Sequence, residues 1–340
     1  MFEILKAVLF GVVEGITEWL PVSSTGHMIL LDEFVKMNVS PEFWDTFLVV
    51  IQLGAILAVV LLYWGEIWPL KRVVVEGKHA TNPQKAIRLD KGVLNLWGKT
   101  IVACLPAAVI GVAFDDWLNA HFYNWLVVSI MLIVVGVAFI IIENRNSHKT
   151  PRTETMADIS YKEAFAIGLF QVIAAVFPGT SRSGATILGG LMIGVSRPAA
   201  ANFTFILAIP VMAGASLLKL LKNGLLYTST EYVILAVGMI VAFVVSLFII
   251  KFLLSYIRKH NFKPFGWYRI VLGVLVILYF GIRMSGHEFA LGLKTSGMQW
   301  PEGAFGAMIP VGGAFLAIRY CQLFIRTLKS DATNSEDKEA

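Results

Sequence analysis

Glu14, Glu18, Ser23, Ser24, Thr25 and His27 fall within fourteen residues near the start of this chain. The four-residue spacing of Glu14 and Glu18 puts both carboxylates on one helix face. Carboxylates so placed oppose each other, so one is protonated or the two share a cation. Ser24 and His27 are three apart and can also share a face. A hydroxyl beside an imidazole is a nucleophile–base pair in outline. A second constellation reads Pro178-Gly179-Thr180-Ser181-Arg182-Ser183-Gly184. Backbone NH groups at a helix start attract anions, and a guanidinium matches phosphate oxygens. Carboxylates, hydroxyls and imidazole in one turn and an anion cradle in the other read together as a phosphoryl-transfer site. Glu14 and Glu18 beside phosphate oxygens suggest a divalent cation, Mg2+ or Ca2+. No Walker A sequence occurs, so ATP is not implied.

Each group also has a plainer reading. The glutamates could be a solvated pair at a helix end, one of the three hydroxyls an N-cap, and His27 a hydrogen-bonded structural residue. Arg182 could pair with Glu18 or Glu14 as a buried ion bridge, an arrangement of doubtful net stability. Asp45, Asn202 and Gln52 lie in or beside apolar runs as candidates for supporting hydrogen bonds. Asp115 and Asp116 read as solvated, and Lys251 as snorkelling to an interface. Cys104 and Cys321 stand far apart in apolar context and read as packing residues.

The elements that must position these groups are set by composition. Of 340 residues, 57% are hydrophobic and 15% charged, with mean hydropathy +0.72. Soluble domains run at roughly 45–50% and about 25%. This excludes an ordinary globular enzyme, a disordered chain and a nucleic-acid binder. Runs of about 20 apolar residues suit helices crossing a hydrocarbon core. The expected class is an all-α polytopic membrane protein with spans near 43–64, 94–113, 123–143, 200–220, 232–256, 267–284 and 303–325. Residues 329–340 read as a solvated tail. The start lacks a basic leader and a small-residue cleavage site, so it reads as mature protein.

Segments 4–31 and 161–195 are apolar yet broken by Pro, Gly and Ser. Each reads as two half-helices around an irregular turn, tolerated at membrane depth only where protein or water satisfies the backbone. Gly11 and Gly168, Glu14 and Gln171, Pro21 and Pro178, Ser24 and Ser181, Pro41 and Pro198, and Asp45 and Asn202 all stand 157 apart. That points to an internal repeat. Three spans between the copies make it an inverted-topology repeat whose two re-entrant hairpins meet near the bilayer midplane. The expected units are 1–157, 158–284 and a C-terminal extension, 285–340. Loops 65–99, 144–163, 196–200, 257–269 and 326–340 hold 19 Lys and Arg against 5 in 32–46, 114–122, 219–231 and 283–302, so the first set is expected in the cytoplasm.

The stretch Glu14-Gly-Ile-Thr-Glu18-Trp-Leu-Pro-Val-Ser-Ser-Thr-Gly-His27, with Pro178 to Gly184 and IQLGAILAVV at 51–60, resembles the signature motifs of the undecaprenyl-diphosphate phosphatase, or bacitracin-resistance, family over about residues 1–284. The resemblance implies an integral membrane hydrolase that converts undecaprenyl diphosphate to undecaprenyl phosphate and phosphate. That reaction recycles the lipid carrier of cell-wall synthesis. It implies catalytic roles for Ser24, His27, Glu18 and Arg182, and a metal site at Glu14 and Glu18. Ser23, Thr25, Gly179, Thr180, Ser181, Ser183 and Gly184 would bind the diphosphate. Either Ser24 or His27 would attack phosphorus. The expected partners are the polyprenyl diphosphate and membrane lipids, with a homodimer left open and no nucleic acid. The expected place is the bacterial plasma (inner) membrane, with the site open to the extracytoplasmic face. An ion-coupled transporter or a flippase on the same scaffold is the rival reading.

Overall fold

Serine and threonine caps start six of the described helices of this protein. A computed structural model describes residues 1–75, 84–224, 226–292, 294 and 301–313, with the backbone alone for 72–75, 84–86, 115, 116, 119 and 305. The first broken hairpin is α1 (Phe2–Thr17) and α2 (Ser24–Phe34). Then come α3 (Pro41–Leu62), the short α4 (Trp64–Ile67), strands β1 (Leu70–Val75) and β2 (Gln84–Leu89), α5 (Lys91–Phe122) and α6 (Trp125–Asn146). The second broken hairpin is α7 (Tyr161–Val176) and α8 (Arg182–Met192), followed by α9 (Arg197–Asn223), α10 (Ser229–Ile257), α11 (Lys263–Ala290) and α12 (Glu302–Gly306). Ser40 caps α3 ahead of Pro41, and Ser196 caps α9 ahead of Pro198. Capping boxes, Ser160 with Glu163 and Thr228 with Glu231, start α7 and α10.

Among the described residues, α3, α5, α6, α9, α10 and α11 are long and apolar enough to cross a membrane. Their outer faces carry Leu57, Val112, Val134, Leu217, Ile240, Phe248 and Ile282, each half or more exposed, as lipid contact requires. This is an all-α polytopic membrane protein. The six expected spans between 43 and 284 match these helices within a few residues. The expected loop 114–122 is instead the last two turns of α5. The side chains of Asp115 and Asp116 lie outside those described. The span expected at 303–325 is described only to residue 313, where α12 is five residues long. The rest of that span, with Cys321 and the tail 329–340, lies outside the described residues.

The antiparallel ribbon β1–β2, paired from Leu70↔Leu89 to Val75↔Gln84, was not expected from the sequence. At its base Asp90 pairs with Lys71 at 2.6 Å. That hydrogen bond, with those from the Gly92 and Val93 NH groups, holds the Asp90 carboxyl below the usual carboxylate range.

The main helix pairings are ones that exchange of the two halves preserves. α1 lies on α10 and α7 on α5, while α3 packs on α9 and α6 on α11. The α6–α11 contact closes over Gly136 and Gly266. A Cβ on either would stand 2.7 Å from the other's carbonyl oxygen, so only glycine permits this approach.

Candidate active site

Both broken hairpins turn at a serine forced into left-handed backbone. Ser23 has φ 74° and Ser181 φ 68°, and these are the only non-glycine positive values among the described residues. Each caps the half-helix that follows: Ser23 Oγ accepts from the Gly26 NH, and Ser181 Oγ accepts from the Gly184 NH. This corrects the repeat register. The counterpart of Ser181 is Ser23, not Ser24, because the second turn holds one more residue between its proline and its cap. The pairing at 157 still holds for Glu14 and Gln171, which are both buried on the first half-helices.

The two turns meet inside the bundle. Arg182, at the start of α8, donates from one terminal nitrogen to Glu18 Oε1 at 3.0 Å and from the other to the Thr204 carbonyl at 3.1 Å. The ion bridge weighed as an alternative from the sequence is therefore formed. Ser24 Oγ donates to the other Glu18 oxygen at 2.9 Å. Ser183 Oγ donates to the Glu18 carbonyl at 3.0 Å and tethers the second turn to the first.

Ser24 and His27 are not bonded to each other, contrary to the spacing argument. His27 Nδ1 donates to the Ser23 carbonyl at 2.7 Å, and Nε2 lies 2.6 Å from the Tyr268 hydroxyl. A carbonyl only accepts, so Nδ1 carries the proton and the neutral ring's lone pair is on Nε2. The physical reason is side-chain direction. Helical side chains lean back toward the N-terminus, which sends Ser24 to Glu18 and the imidazole to its own first turn.

Several expected anion ligands are already occupied. The Ser181 and Ser183 hydroxyls contact each other at 3.1 Å, and the Gly184 NH is taken by its cap. Gly179, at φ 88°, lies so close to α6 that a Cβ would stand 2.5 Å from the Val128 carbonyl. What remains is a set of buried polar atoms without partners: Thr180 Oγ1, Arg182 Nε and Glu14 Oε1, with the Trp19 indole NH and the Gln171 amide. Thr25 stands partly exposed beside Ser24 on α2. Two orphan donors on the second turn suit an anion, and an orphan carboxylate oxygen on the first suits a cation or a proton. No three His, Cys, Asp or Glu side chains gather as a metal cluster among the described residues.

Arg269 was missed. It sits on α11 with no exposed surface and donates to the carbonyls of Pro21, Gly179, Thr180, Met131 and Leu132 at 2.8–3.4 Å. It thus ties both turns to α6. The sequence count had placed Arg269 in a cytoplasmic loop. Pro264 at the first turn of α11 was the available signal, since it starts the helix early enough to bury Arg269. Other candidates lie apart. Asp45 pairs with Lys219 at 3.3 Å at an exposed helix end, and Asn202 accepts a hydrogen bond from Tyr63. Cys104 is a free, partly buried thiol on α5.

Residues 7–275 match the family model described as bacitracin resistance protein BacA. The chain is 57% identical over 283 residues to a protein of Desulfitobacterium hafniense named undecaprenyl-diphosphatase, covering 83% of this chain and 98% of that one. It is 58% identical over 276 residues to a protein of that name from Enterococcus faecalis, covering 81% and 96%. For the protein of that name from Streptococcus mutans the identity is 52% over 282 residues, covering 82% and 96%.

Proposed function

Since this chain belongs to the bacitracin resistance protein BacA family, we propose that it hydrolyses undecaprenyl diphosphate to undecaprenyl phosphate and phosphate at the meeting of its two broken hairpins. The observation that carries the site is the Arg182–Glu18 bridge at 3.0 Å, which joins the turns beside Ser24. The names of the relatives favour hydrolysis over ion-coupled transport or flipping. The site opens to the extracytoplasmic side of a bacterial plasma membrane, a placement supported by the Lys/Arg-poor loops at that end.

The diphosphate takes Arg182 away from Glu18, drawing also on Arg182 Nε, Thr180 Oγ1 and the hydroxyls near them. Its negative charge then spreads over fixed donors instead of water. His27 Nε2 attacks the terminal phosphorus. The N–P bond forms, the bond to the bridging oxygen breaks, and polyprenyl phosphate leaves as an anion. The Ser23 carbonyl stabilises the Nδ1 proton of the phosphorylated ring. Water then attacks phosphorus, the N–P bond breaks, and the water's second proton passes to Glu18, freed from Arg182. His27 is favoured over Ser24 because a neutral imidazole needs no deprotonation. A serine here would first have to give up its proton to Glu18.

Glu14, with Glu18 once Arg182 has turned away, would hold Mg2+ or Ca2+. Bound there, the cation would neutralise charge on the phosphate oxygens. The orphaned Glu14 oxygen is what fits it. Attack by Ser24 with Glu18 as base is the second reading, favoured by their 2.9 Å hydrogen bond. Turnover of substrate labelled in the terminal phosphate, followed by rapid quench, separates the two: an acid-labile, base-stable phosphoprotein is expected, and an acid-stable one would establish Ser24 instead. Loss of turnover in His27→Ala is also expected, and full turnover there would refute the reading.

A further inference from the structure

The two half-helices that follow the strained serines are unequally buried. In α8, nine of eleven residues are buried, whereas in α2 only Gly26 and Met28 are. α2 therefore lies at the edge of the bundle, and there it meets α11 side chain to side chain. His27 stacks on Tyr268 with ring centroids 5.6 Å apart and planes 5° apart. Phe34 lies against Tyr279 at 5.2 Å, and Glu33 pairs with Arg283. Tyr268 is 48% exposed on the outer side of α11. The bundle thus covers only about half of this side chain, and its hydroxyl is turned to the imidazole.

The hydroxyl occupies a particular place. With Nδ1 committed to the Ser23 carbonyl, Tyr268 donates to the only lone pair the neutral ring has. No phosphorus can reach Nε2 while that hydrogen bond stands. We propose that Tyr268 is the latch of a lateral entrance: in the unloaded site its hydroxyl covers His27 Nε2, and the headgroup of a lipid diphosphate arriving between α2 and α11 displaces it. This rests on the reading that His27 Nε2 is the attacking atom. Tyr268 is thereby a positioning residue, which orients the ring by stacking and keeps the nucleophile masked until substrate replaces the hydroxyl. The seam suits a lipid substrate: its charged end must reach His27 inside the bundle while the apolar chain stays among the outer faces of α2 and α11.

The test uses the full chain in detergent and the variant Tyr268→Phe, which keeps the stack and removes the hydroxyl. Diethyl pyrocarbonate acylates a free imidazole lone pair, and peptide mass spectrometry reads each histidine separately, with His121 and His260 as internal references. His27 is expected to react several-fold faster in Tyr268→Phe than in the unaltered chain while the references keep their rates. KM for polyprenyl diphosphate is expected to fall about 2- to 10-fold, the weight of one neutral hydrogen bond no longer displaced. A structural role for Tyr268 predicts neither change. If Tyr268→Phe does not elute as folded protein, Tyr268→Leu removes the hydroxyl together with the stack, and there the His27 reaction rate alone is read, with the same rise expected. A folded variant whose His27 reacts at the unaltered rate, or a folded Tyr268→Phe whose KM rises, overturns the latch. His27→Ala retaining turnover would instead overturn the attack on which it rests, and the reactivity measurement does not depend on that result.

Discussion

Arg182 and Arg269 are both inside the bundle, yet they do opposite work. Arg182 meets a carboxylate and one carbonyl and keeps Nε free, so it has capacity to exchange partners. Arg269 commits all three guanidinium nitrogens to backbone carbonyls, five in all. Arg182→Lys should lower kcat by about 10²- to 10³-fold, since a point charge cannot reproduce a planar two-sided clamp. Phosphate release at saturating substrate measures it, and a loss under tenfold would remove Arg182 from the clamp. Arg269→Met should act through stability, leaving several carbonyls unpaired at roughly 1–3 kcal/mol each. A melting temperature in detergent close to that of the unaltered chain would show that those carbonyls find other donors.

At the scale of the element, two turns built alike have diverged in use. Each bends at a serine with positive φ and caps a half-helix with that serine's hydroxyl. The first turn carries Ser24 and His27, both half-buried, on the lightly buried α2, while the second buries Thr180 and Ser183 and presents Arg182. Ser23→Gly should cost little or even stabilise, since it relieves a left-handed strain of about 1–2 kcal/mol and gives up a cap for which glycine is a fair substitute. Ser23→Ala keeps the strain and loses the cap, so it should be the less stable of the two. Equal melting temperatures for the pair would contradict the strain argument. Gly179→Ala would drive a Cβ into the Val128 carbonyl from a left-handed backbone. It should misplace Thr180 and Arg182 and lower both stability and kcat, and a protein with unaltered turnover would show that the turn can shift.

For the whole molecule, the orientation proposed from the loop charges can be tested directly. In a chain lacking Cys104 and Cys321, single cysteines at positions 38 and 123 should react with an impermeant maleimide in intact cells. Those at 148 and 260 should react only after lysis. The reverse pattern would invert the molecule and move the site's opening to the cytoplasm.

Much of this was legible in the chain. Long apolar runs admit few solutions besides spanning helices, so six spans could be placed within a few residues. The two Pro-, Gly- and Ser-broken segments marked their turns because such residues cannot continue a buried helix. Glu14, Glu18, Ser24, His27 and Arg182 stood out because a charge or a polar cluster within an apolar run is costly unless it is used. The ribbon β1–β2 was missed because short strands among charged loop residues carry little periodic signal.

The sequence by itself determined which residues are able to do chemistry and that two similar turns carry them. Only the tertiary structure decided their partners: Ser24 on Glu18, His27 between Ser23 and Tyr268, and Arg269 across both turns. Spacing along one helix specifies a shared face, but a hydrogen bond depends on where side chains lean and on what a helix 241 residues away in sequence brings to meet them.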